Sequence, residues 1–420
     1  MKIAIRKSSL LAICIIICIL TLDNFFGFGS PIALDNTYLF VGAIIISYIL
    51  CIVCFSKTLI KVLHNCTFIN TYLIITIIAY IVLFGYSLIQ YPAQNVKETL
   101  NTASPYLALL LAYPIFIYLL DRGDTKSLYR LLDVFSIIIY VMILAQFITY
   151  KNGIMIFPEE TIRMRNGSIR IGLHFYGNFM ILYNFFQIYY HKKRSFTRIL
   201  LFLVGIFELI SIQQTRAYTL VIFVDILVMI LLEKNTTNKL MKKVIIMALI
   251  IGILLQTDIA ANFIQSLSST GAEAGSTIGR QYSMAYYFSM FKAHFPFGMG
   301  FPNNDKYGYI LHHKVQYYTT YTDDVGIVGQ LGIWGLLLIP IFIVPVVRMI
   351  SIIIKLKRQN CYDSFVWFTG ILVYIIVTSG TLMILDSYRI MLMPMIIALV
   401  EFENIKLRNT GKIERGYNLL

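Results

Sequence analysis

Apolar residues follow one another in long runs along nearly the whole chain. The runs are 17–22 residues long, which is enough for an α-helix to cross the roughly 30 Å of hydrocarbon in a bilayer. The short alternating segments of a β-barrel are not the pattern here, so the pattern predicts helices. We predict about twelve spans, at 8–27, 37–56, 70–90, 103–120, 131–149, 172–190, 197–213, 217–233, 241–257, 325–347, 362–382 and 387–403.

The composition supports an all-α polytopic membrane protein. Of the 420 residues 58% are hydrophobic and 13% are charged, whereas a soluble domain carries about a quarter charged residues. The net charge of +14 would suggest nucleic acid in a soluble protein. Here we assign it to loop charge that orients the helices, and we expect no nucleic-acid partner. No metal-ligating cluster is visible, and we expect no cofactor.

The polar segments between the spans fall on alternating sides of the membrane, and their charges differ. One side carries 24 of the 35 lysines and arginines, and the other carries 11. By the positive-inside rule the richer side is cytoplasmic, which places both termini in the cytoplasm and the protein in the cytoplasmic (inner) membrane as a multi-pass protein.

Two of the predicted external segments are long. One is the loop 150–171, and the other is the loop 258–324 between the ninth and tenth spans. The second contains the amphipathic stretch "RQYSMAYYFSMFKAHFPF", for which we predict a helix. Loops longer than about 15 residues are usually functional or disordered. We treat residues 1–420 as a single integral membrane domain with these two external loops.

Arginine is more frequent among the external cations than among the cytoplasmic ones. The external arginines are Arg163, Arg165, Arg170, Arg216, Arg280 and Arg389. The planar guanidinium matches phosphate oxygens and keeps its charge, so these residues suggest an anionic ligand. The alternative is that several are solvated, or pair with Glu159, Glu160 or Asp386.

Arg216 opens a span after a connector of only a few residues, so we expect it to be held at the outer membrane surface. Glu208, near the end of the preceding span, could instead form a packing ion pair with it. Asp225 lies nine residues further on, about 13 Å deeper in a helix.

Three stretches over residues 200–345 are similar, in order and placement, to the O-antigen polymerase and ligase superfamily of bacterial envelopes. They are "QTRAYTL", "RQYSMAYYFSMFKAHFPFGMGF" and "TDDVGIVGQLGIWGLLL". The resemblance implies a glycosyltransferase acting at the outer face on sugars carried by a polyprenyl diphosphate. Arg216 and Arg280 occupy the positions of the two site arginines of the ligase branch. The N-terminal half matches only in topology.

The chain departs from the ligase pattern at one position. Where a histidine is expected about eleven residues before Gly332, the chain has Tyr321, followed by Asp323 and Asp324. Acidic residues here are typical of the polymerase branch, so the resemblance favours a polymerase of O-antigen or capsular polysaccharide repeat units. Asp323 or Asp324 could act as a base. Either could instead cap the next helix.

Histidines and tyrosines complete the candidate substrate site. His312 and His313 could be a base or sugar contacts, or lie in a solvated loop, and His294 could simply hold its turn. The tyrosines could stack on sugars or form an interfacial belt. They are Tyr286, Tyr287, Tyr317, Tyr318 and Tyr321.

The polymerase hypothesis implies specific partners, and it has competitors. The partners would be the polyprenyl-diphosphate-linked oligosaccharide, membrane lipids, a chain-length regulator and a flippase. The competing hypotheses are a ligase that transfers finished chains to the lipid A core of lipopolysaccharide, a flippase or transporter of lipid-linked sugars, and a scaffold of the envelope machinery. The single large asymmetric loop speaks against a transporter, because many transporters are built from two matching halves.

Overall fold

A computed structural model describes residues 7–22, 36–157, 162–165, 168–171, 175–190, 195–233, 274–315, 317–387 and 389–413. Helices form almost all of the regular structure in these ranges, and the strands make two short antiparallel hairpins. The predicted all-α class is confirmed at this level.

The helices of the N-terminal half follow the apolar runs. They are α1 (Lys7–Leu22), α2 (Asn36–Cys54), α3 (Ser56–Asn65), α4 (Thr67–Gln90), α5 (Val96–Ala103), α6 (Ala112–Arg122), α7 (Lys126–Thr149), α8 (Phe175–Tyr189), α9 (Phe196–Phe207) and α10 (Arg216–Leu232). A 3-10 segment at Ser104–Leu111 joins α5 to α6, and a π-helical turn at Glu208–Gln213 ends α9. The first hairpin pairs β1 (Arg163–Arg165) with β2 (Ser168–Arg170).

The C-terminal half begins inside the predicted large loop. Its helices are α11 (Ala274–Ala293), α12 (Asn304–Leu311), α13 (Gly326–Trp334), α14 (Val344–Arg358), α15 (Tyr362–Thr378) and α16 (Leu392–Ile413). The second hairpin pairs β3 (Lys314–Val315) with β4 (Tyr318–Thr319), and a 3-10 turn covers Thr322–Asp324. The helix predicted in the large loop is therefore present as α11.

Six helical segments in the described part of the chain are long and apolar enough to cross a membrane. They are Thr37–Cys54, Thr67–Gln90, Val96–Arg122, Lys126–Asn152, Phe196–Gln213 and Ile339–Arg358. Four shorter apolar helices accompany them, at Lys7–Leu22, Ala217–Leu232, Gly326–Leu337 and Tyr362–Thr378. The predicted span 241–257 lies outside the described residues.

The non-helical segment between the last two predicted spans is longer than expected, because the backbone there is irregular. The helix α15 ends at Thr378 and α16 begins at Leu392, whereas the prediction left only residues 383–386 between the spans. The carbonyls of Ser379 and Thr381 accept hydrogen bonds from Ile327 (2.8 Å) and Gly326 (3.1 Å). This segment therefore leaves the helix to bind the start of α13.

An aromatic core joins α7, α8 and α15. The indole nitrogen of Trp367 donates to the Tyr129 hydroxyl at 2.7 Å, and the Tyr129 ring stacks on Tyr183 with centroids 4.1 Å apart. Both donor and acceptor are buried, so this hydrogen bond removes the cost of leaving two polar groups unpaired inside the bundle. The contact fixes the packing of these three helices.

The turn that follows α11 interlocks with the end of α13. Met299 donates its N–H to the Gly332 carbonyl at 2.7 Å, and Leu336 donates to the Pro296 carbonyl at 2.8 Å. Gly335 has φ of +56°, and a Cβ there would lie 2.0 Å from the Pro296 oxygen. Only glycine permits this approach, so the turn and the helix end form one unit.

We expect Gly335→Ala to lower the free energy of unfolding by about 1–3 kcal/mol from the strain of a positive φ, and by more because the added Cβ would clash with the backbone. Thermal unfolding of the detergent-purified protein, followed by fluorescence-detected size exclusion, measures the effect. The matched control is Gly42→Ala in α2, where a Cβ meets nothing within 4 Å. Equal melting temperatures for the two variants would contradict the interlock.

Candidate functional site

Arg216 is the first residue of α10, and the chain reaches it through a sharp turn. The π-helical turn ends at Gln213, Gln214 has φ of +49°, and Thr215 is extended. The backbone of Arg216 is therefore at the helix end as predicted. Its side chain lies outside the part of the structure that can be described.

The predicted external loop 150–171 contacts the start of α10 through Arg170. The Nε of Arg170 donates to the Gln213 carbonyl at 3.0 Å, and its Nη2 donates to the Thr215 hydroxyl at 3.2 Å. The Cα atoms of Arg163 and Arg170 are paired in the hairpin, as are those of Arg165 and Ser168. The side chains of Arg163 and Arg165 are not among the described ones. Arg170 thus supports the turn before Arg216.

Glu208 opens the π-helical turn and is fully buried. Neither carboxyl oxygen has a hydrogen-bond partner within the described residues. The alternative that Glu208 neutralises Arg216 depends on a side chain that the structure does not describe. Asp225 in α10 is also fully buried, and its two oxygens likewise have no hydrogen-bond partner among the described residues.

A buried ion pair lies in the irregular segment between α15 and α16. The Nη1 of Arg389 donates to Oδ2 of Asp386 at 2.7 Å, and Asp386 is only 4% exposed. The guanidinium carbon of Arg389 lies 6.0 Å from the ring centroid of Tyr218, which is one turn into α10. The pair therefore connects this segment to the helix that begins at Arg216. Burial raises the pKa of Asp386 to about 6, against the opposing attraction of Arg389.

Asp323 joins this group from the end of the large loop. It lies in the 3-10 turn Thr322–Asp324, close enough to Arg389 and His312 for electrostatic interaction. Burial raises the pKa of Asp323, the neighbouring charge of Asp324 raises it further, and Arg389 acts in the opposite direction. Asp324 itself is exposed.

The two aspartates do not cap the following helix. The N-cap of α13 is Val325, and no side-chain hydrogen bond caps it. The capping alternative is wrong because the 3-10 turn intervenes and the helix start is held by the 379–381 backbone. The side chain of Asp323 is therefore not used to cap α13.

His312 lies beside the position where the resemblance expects a histidine. Its ring centroid is 5.2 Å from that of Tyr321, and its Nδ1 is buried without a hydrogen-bond partner among the described residues. His313 instead stacks on Tyr286 with centroids 4.8 Å apart. The fold thus brings one upstream histidine to the site and uses the other for packing.

Arg280 lies on α11 next to Gly279, where an added Cβ would lie 3.4 Å from the ring of Tyr318. Its Nε is buried and has no hydrogen-bond partner in the described ranges. No ion pair within those ranges neutralises Arg280, unlike Arg389. Its guanidinium therefore has donor capacity that the described protein groups leave unused.

His294 holds its turn. Its Nδ1 is 3.0 Å from the Tyr86 hydroxyl, and its carbonyl accepts the N–H groups of Phe297 and Gly298, both at 3.0 Å. Burial lowers the pKa of this imidazole. These contacts are the ones expected of a structural residue, and none of them points to a ligand.

Some of the candidate tyrosines of the large loop pack against neighbouring elements, and others are exposed. The Tyr286 hydroxyl donates to the Ile310 carbonyl at 2.7 Å and that of Tyr287 to the Leu311 carbonyl at 2.5 Å, which fastens the end of α12 to α11. Tyr318 stacks on Tyr282. Tyr317 is 99% exposed and Tyr321 is 44% exposed, so these two leave ring surface open to a ligand or to lipid.

The alternative that an external arginine pairs with Asp386 is confirmed for Arg389. Sequence reasoning did not place that pair, or Tyr218, at the site. A signal existed for the pair, because an acid and an arginine three residues apart stood at the predicted start of an apolar span. Tyr218 carried none, since one tyrosine among 29 is not distinctive. In the described part of the chain, no group of three or more His, Cys, Asp or Glu could hold a metal ion.

Comparison with protein-family models finds no match for this sequence. Comparison with curated proteins finds no match either. The functional argument therefore rests on the geometry of the residues and on the resemblance of the three sequence stretches.

We expect the stability of the protein to fall as the pH rises through about 6, because the folded-state pKa of Asp386 is raised above the ~4 of an unfolded aspartate. A raised pKa stabilises the fold fully below pH ~4, and this contribution of roughly 3 kcal/mol is lost above pH 6. Melting temperatures between pH 4 and 7 measure the slope. The Asp386→Asn variant should lose most of it, and an unchanged slope would contradict the assignment.

Proposed function

We propose that the protein polymerises oligosaccharide repeat units carried on a polyprenyl diphosphate, at the outer face of the cytoplasmic membrane. The observation that carries the proposal is the position of Asp323. This half-buried carboxyl lies beside the Arg389–Asp386 pair and His312, at the point where the large loop enters α13. A titratable group held among fixed charges at a helix end is typical of a catalytic site.

The reaction needs a new bond from an acceptor hydroxyl to the anomeric carbon of the donor sugar. The bond from that carbon to the diphosphate breaks, the polyprenyl diphosphate leaves with the electron pair, and the hydroxyl proton passes to a base. Asp323 is our candidate base, because its raised pKa brings the carboxylate closer to the range in which proton transfer is efficient. His312 is within interaction distance of it and could receive the proton next.

Two arginines are assigned to the diphosphate. Arg280 has an unpartnered Nε among the described residues, and Arg216 begins α10 two residues before Tyr218. Fixed cations lower the barrier by stabilising the charge that develops on the leaving group. Arg389 is assigned a different part, since its ion pair with Asp386 already satisfies its charge. Arg389 places a positive charge near the carboxylate of Asp323.

The proposal includes the finer topology. Twelve spans with both termini in the cytoplasm place the loop 258–324, and with it Asp323 and Arg280, on the outer face. The six long apolar segments and four shorter apolar helices of the described part support such a bundle. The lipid anchor of the donor would keep the diphosphate at that surface, close to the arginines, and positioning of this kind supplies much of the rate.

One observation favours the ligase as a second candidate. The ring of His312 lies 5.2 Å from that of Tyr321, so a histidine occupies the neighbourhood where the ligase pattern expects one, although it comes from a different position in the chain. A ligase would pass the finished chain to the lipid A core instead of to the next lipid-linked unit.

We expect Arg280→Gln to slow polymerisation by about 10²–10³ and Asp323→Asn by about 10²–10⁴, the usual losses for a charge-stabilising donor and for a general base. The assay uses the purified protein in liposomes with a synthetic polyprenyl-diphosphate repeat unit, and product length is measured on a gel. The control is Lys314→Gln, which removes an exposed cation from the same loop. Rates within twofold of the unsubstituted protein for both site variants would overturn the proposal.

A cellular assay separates the candidate functions. In the source cell, Arg216→Ala or Arg280→Ala should collapse the ladder of polysaccharide chain lengths to single repeat units still attached to their acceptor. Loss of a ligase would instead leave no unit attached. An unchanged ladder in both variants excludes the polymerase, and transport by the purified protein without any glycosyl product would indicate a flippase.

A further inference from the structure

A cleft of about 480 Å³ opens at the opposite end of the bundle from Asp323 in the predicted topology. It lies between the start of α1, the end of α6 and the start of α7. Four cations line it, Lys7, Arg122, Lys126 and Arg130, together with the carboxylates of Asp121 and Asp124. The lining therefore has an excess of positive charge.

The two carboxylates offset the charge of the four cations only in part. Oδ1 of Asp124 accepts the backbone N–H of Lys126 at 3.0 Å and that of Ser127 at 3.4 Å, which directs it toward the start of α7. Within the described ranges no ion pair joins Asp121 or Asp124 to any of the four cations. The positive charge of the cleft is thus available to a ligand.

Two buried donors in the lining also lack partners. The Nε of Arg122 and the hydroxyl of Ser127 are buried, and neither has a hydrogen bond to any described residue. The Arg122 guanidinium lies over the ring of Tyr118, 5.6 Å from its centroid. Buried donors are normally satisfied. A tetrahedral anion offers several acceptor oxygens to donors of this kind.

We propose that this cleft binds the phosphate group of an anionic membrane lipid. Basic pockets between spanning helices on the cytoplasmic side are suited to anionic headgroups, because they combine attraction with shape. The arginines supply directed donors to the phosphate oxygens, while Lys7 and Lys126 add charge without strict geometry. The proposal concerns α1, α6 and α7 and does not depend on the proposed glycosyl transfer.

The surface of α7 favours a lipid over a free anion. Residues 4, 8 and 11 positions after Arg130 share its helix face, and they are Val134, Ile138 and Val141, which are 50%, 40% and 60% exposed. An apolar track of this kind leads away from the cleft along the helix. An acyl chain attached to a phosphate in the cleft would follow it, whereas inorganic phosphate gains nothing from it.

The test compares the double variant Arg122→Gln/Arg130→Gln with the control Lys57→Gln/Lys61→Gln, which removes two exposed cations from α3. Binding is measured as the shift in melting temperature of the detergent-purified protein on titration with phosphatidylglycerol, phosphatidylcholine or inorganic phosphate. We expect phosphatidylglycerol to stabilise the unsubstituted protein and the control. Its affinity for the double variant should be about 30-fold lower, from the removal of two cations.

Three outcomes overturn the proposal: an undiminished affinity in the double variant, an equal response to phosphatidylcholine, or an equal response to inorganic phosphate, which would make the site one for a free anion. If the double variant does not fold, the unsubstituted protein is extracted from bilayers of equal phosphatidylglycerol and phosphatidylcholine. Native mass spectrometry should then detect retained phosphatidylglycerol in excess. Equal retention of the two lipids contradicts the proposal.

Discussion

The helix α13 is held at both ends by backbone hydrogen bonds, and the candidate site depends on this double attachment. Its first residues bind the carbonyls of Ser379 and Thr381, and its last turn exchanges bonds with residues 296–300. Irregular backbone leaves N–H and C=O groups without regular partners, and these groups need other partners wherever they are buried. One nine-residue helix meets this condition for both segments, and it thereby brings the 3-10 turn of Asp323 next to Arg389.

Electrostatics then separates the roles of the arginines. Arg389 is neutralised by Asp386 and has Tyr218 beside it, so its energetic contribution is to keep buried acids in place. Removing one member of such a buried pair leaves the other charge uncompensated, which costs about 3–5 kcal/mol. Arg280 has no such neutralising contact in the described ranges, and its charge is open to a ligand. The same distinction separates the Arg122 cleft from the Arg198–Asp133 ion pair nearby in the bundle, whose atoms are 2.6 Å apart.

The sequence predicted the helices that repeat a simple apolar pattern and missed those whose ends are set by tertiary contacts. The span predicted at 70–90 is contained in α4, because nothing in that run competes with helical hydrogen bonding. The predicted end of α15 lies four residues beyond the observed end at Thr378. The chain leaves the helix there because the carbonyls of Ser379 and Thr381 accept hydrogen bonds from the start of α13, which lies more than 50 residues earlier in the chain. The local sequence pattern around Thr378 gives no indication of a hydrogen-bond partner that is so distant in the chain.

For the site residues, the sequence indicated which charged side chains to consider, but it did not indicate which contacts Asp323 and His312 make. Asp323 and Arg280 were recognisable from their type and from the resemblance, yet the capping interpretation of Asp323 failed because a 3-10 turn intervenes. The contribution of His312 required the fold, since its neighbour Tyr321 is nine residues away across a hairpin.

The Asp386–Arg389 pair is formed within a single turn, and this has a consequence for access to the site. Both charges belong to one short segment attached to α16, so a rearrangement of the loop 274–324 separates neither from the other. If Asp323 moved away from Arg389, the guanidinium would stay neutralised by Asp386. The electrostatic cost of the displacement would therefore fall on Asp323 alone.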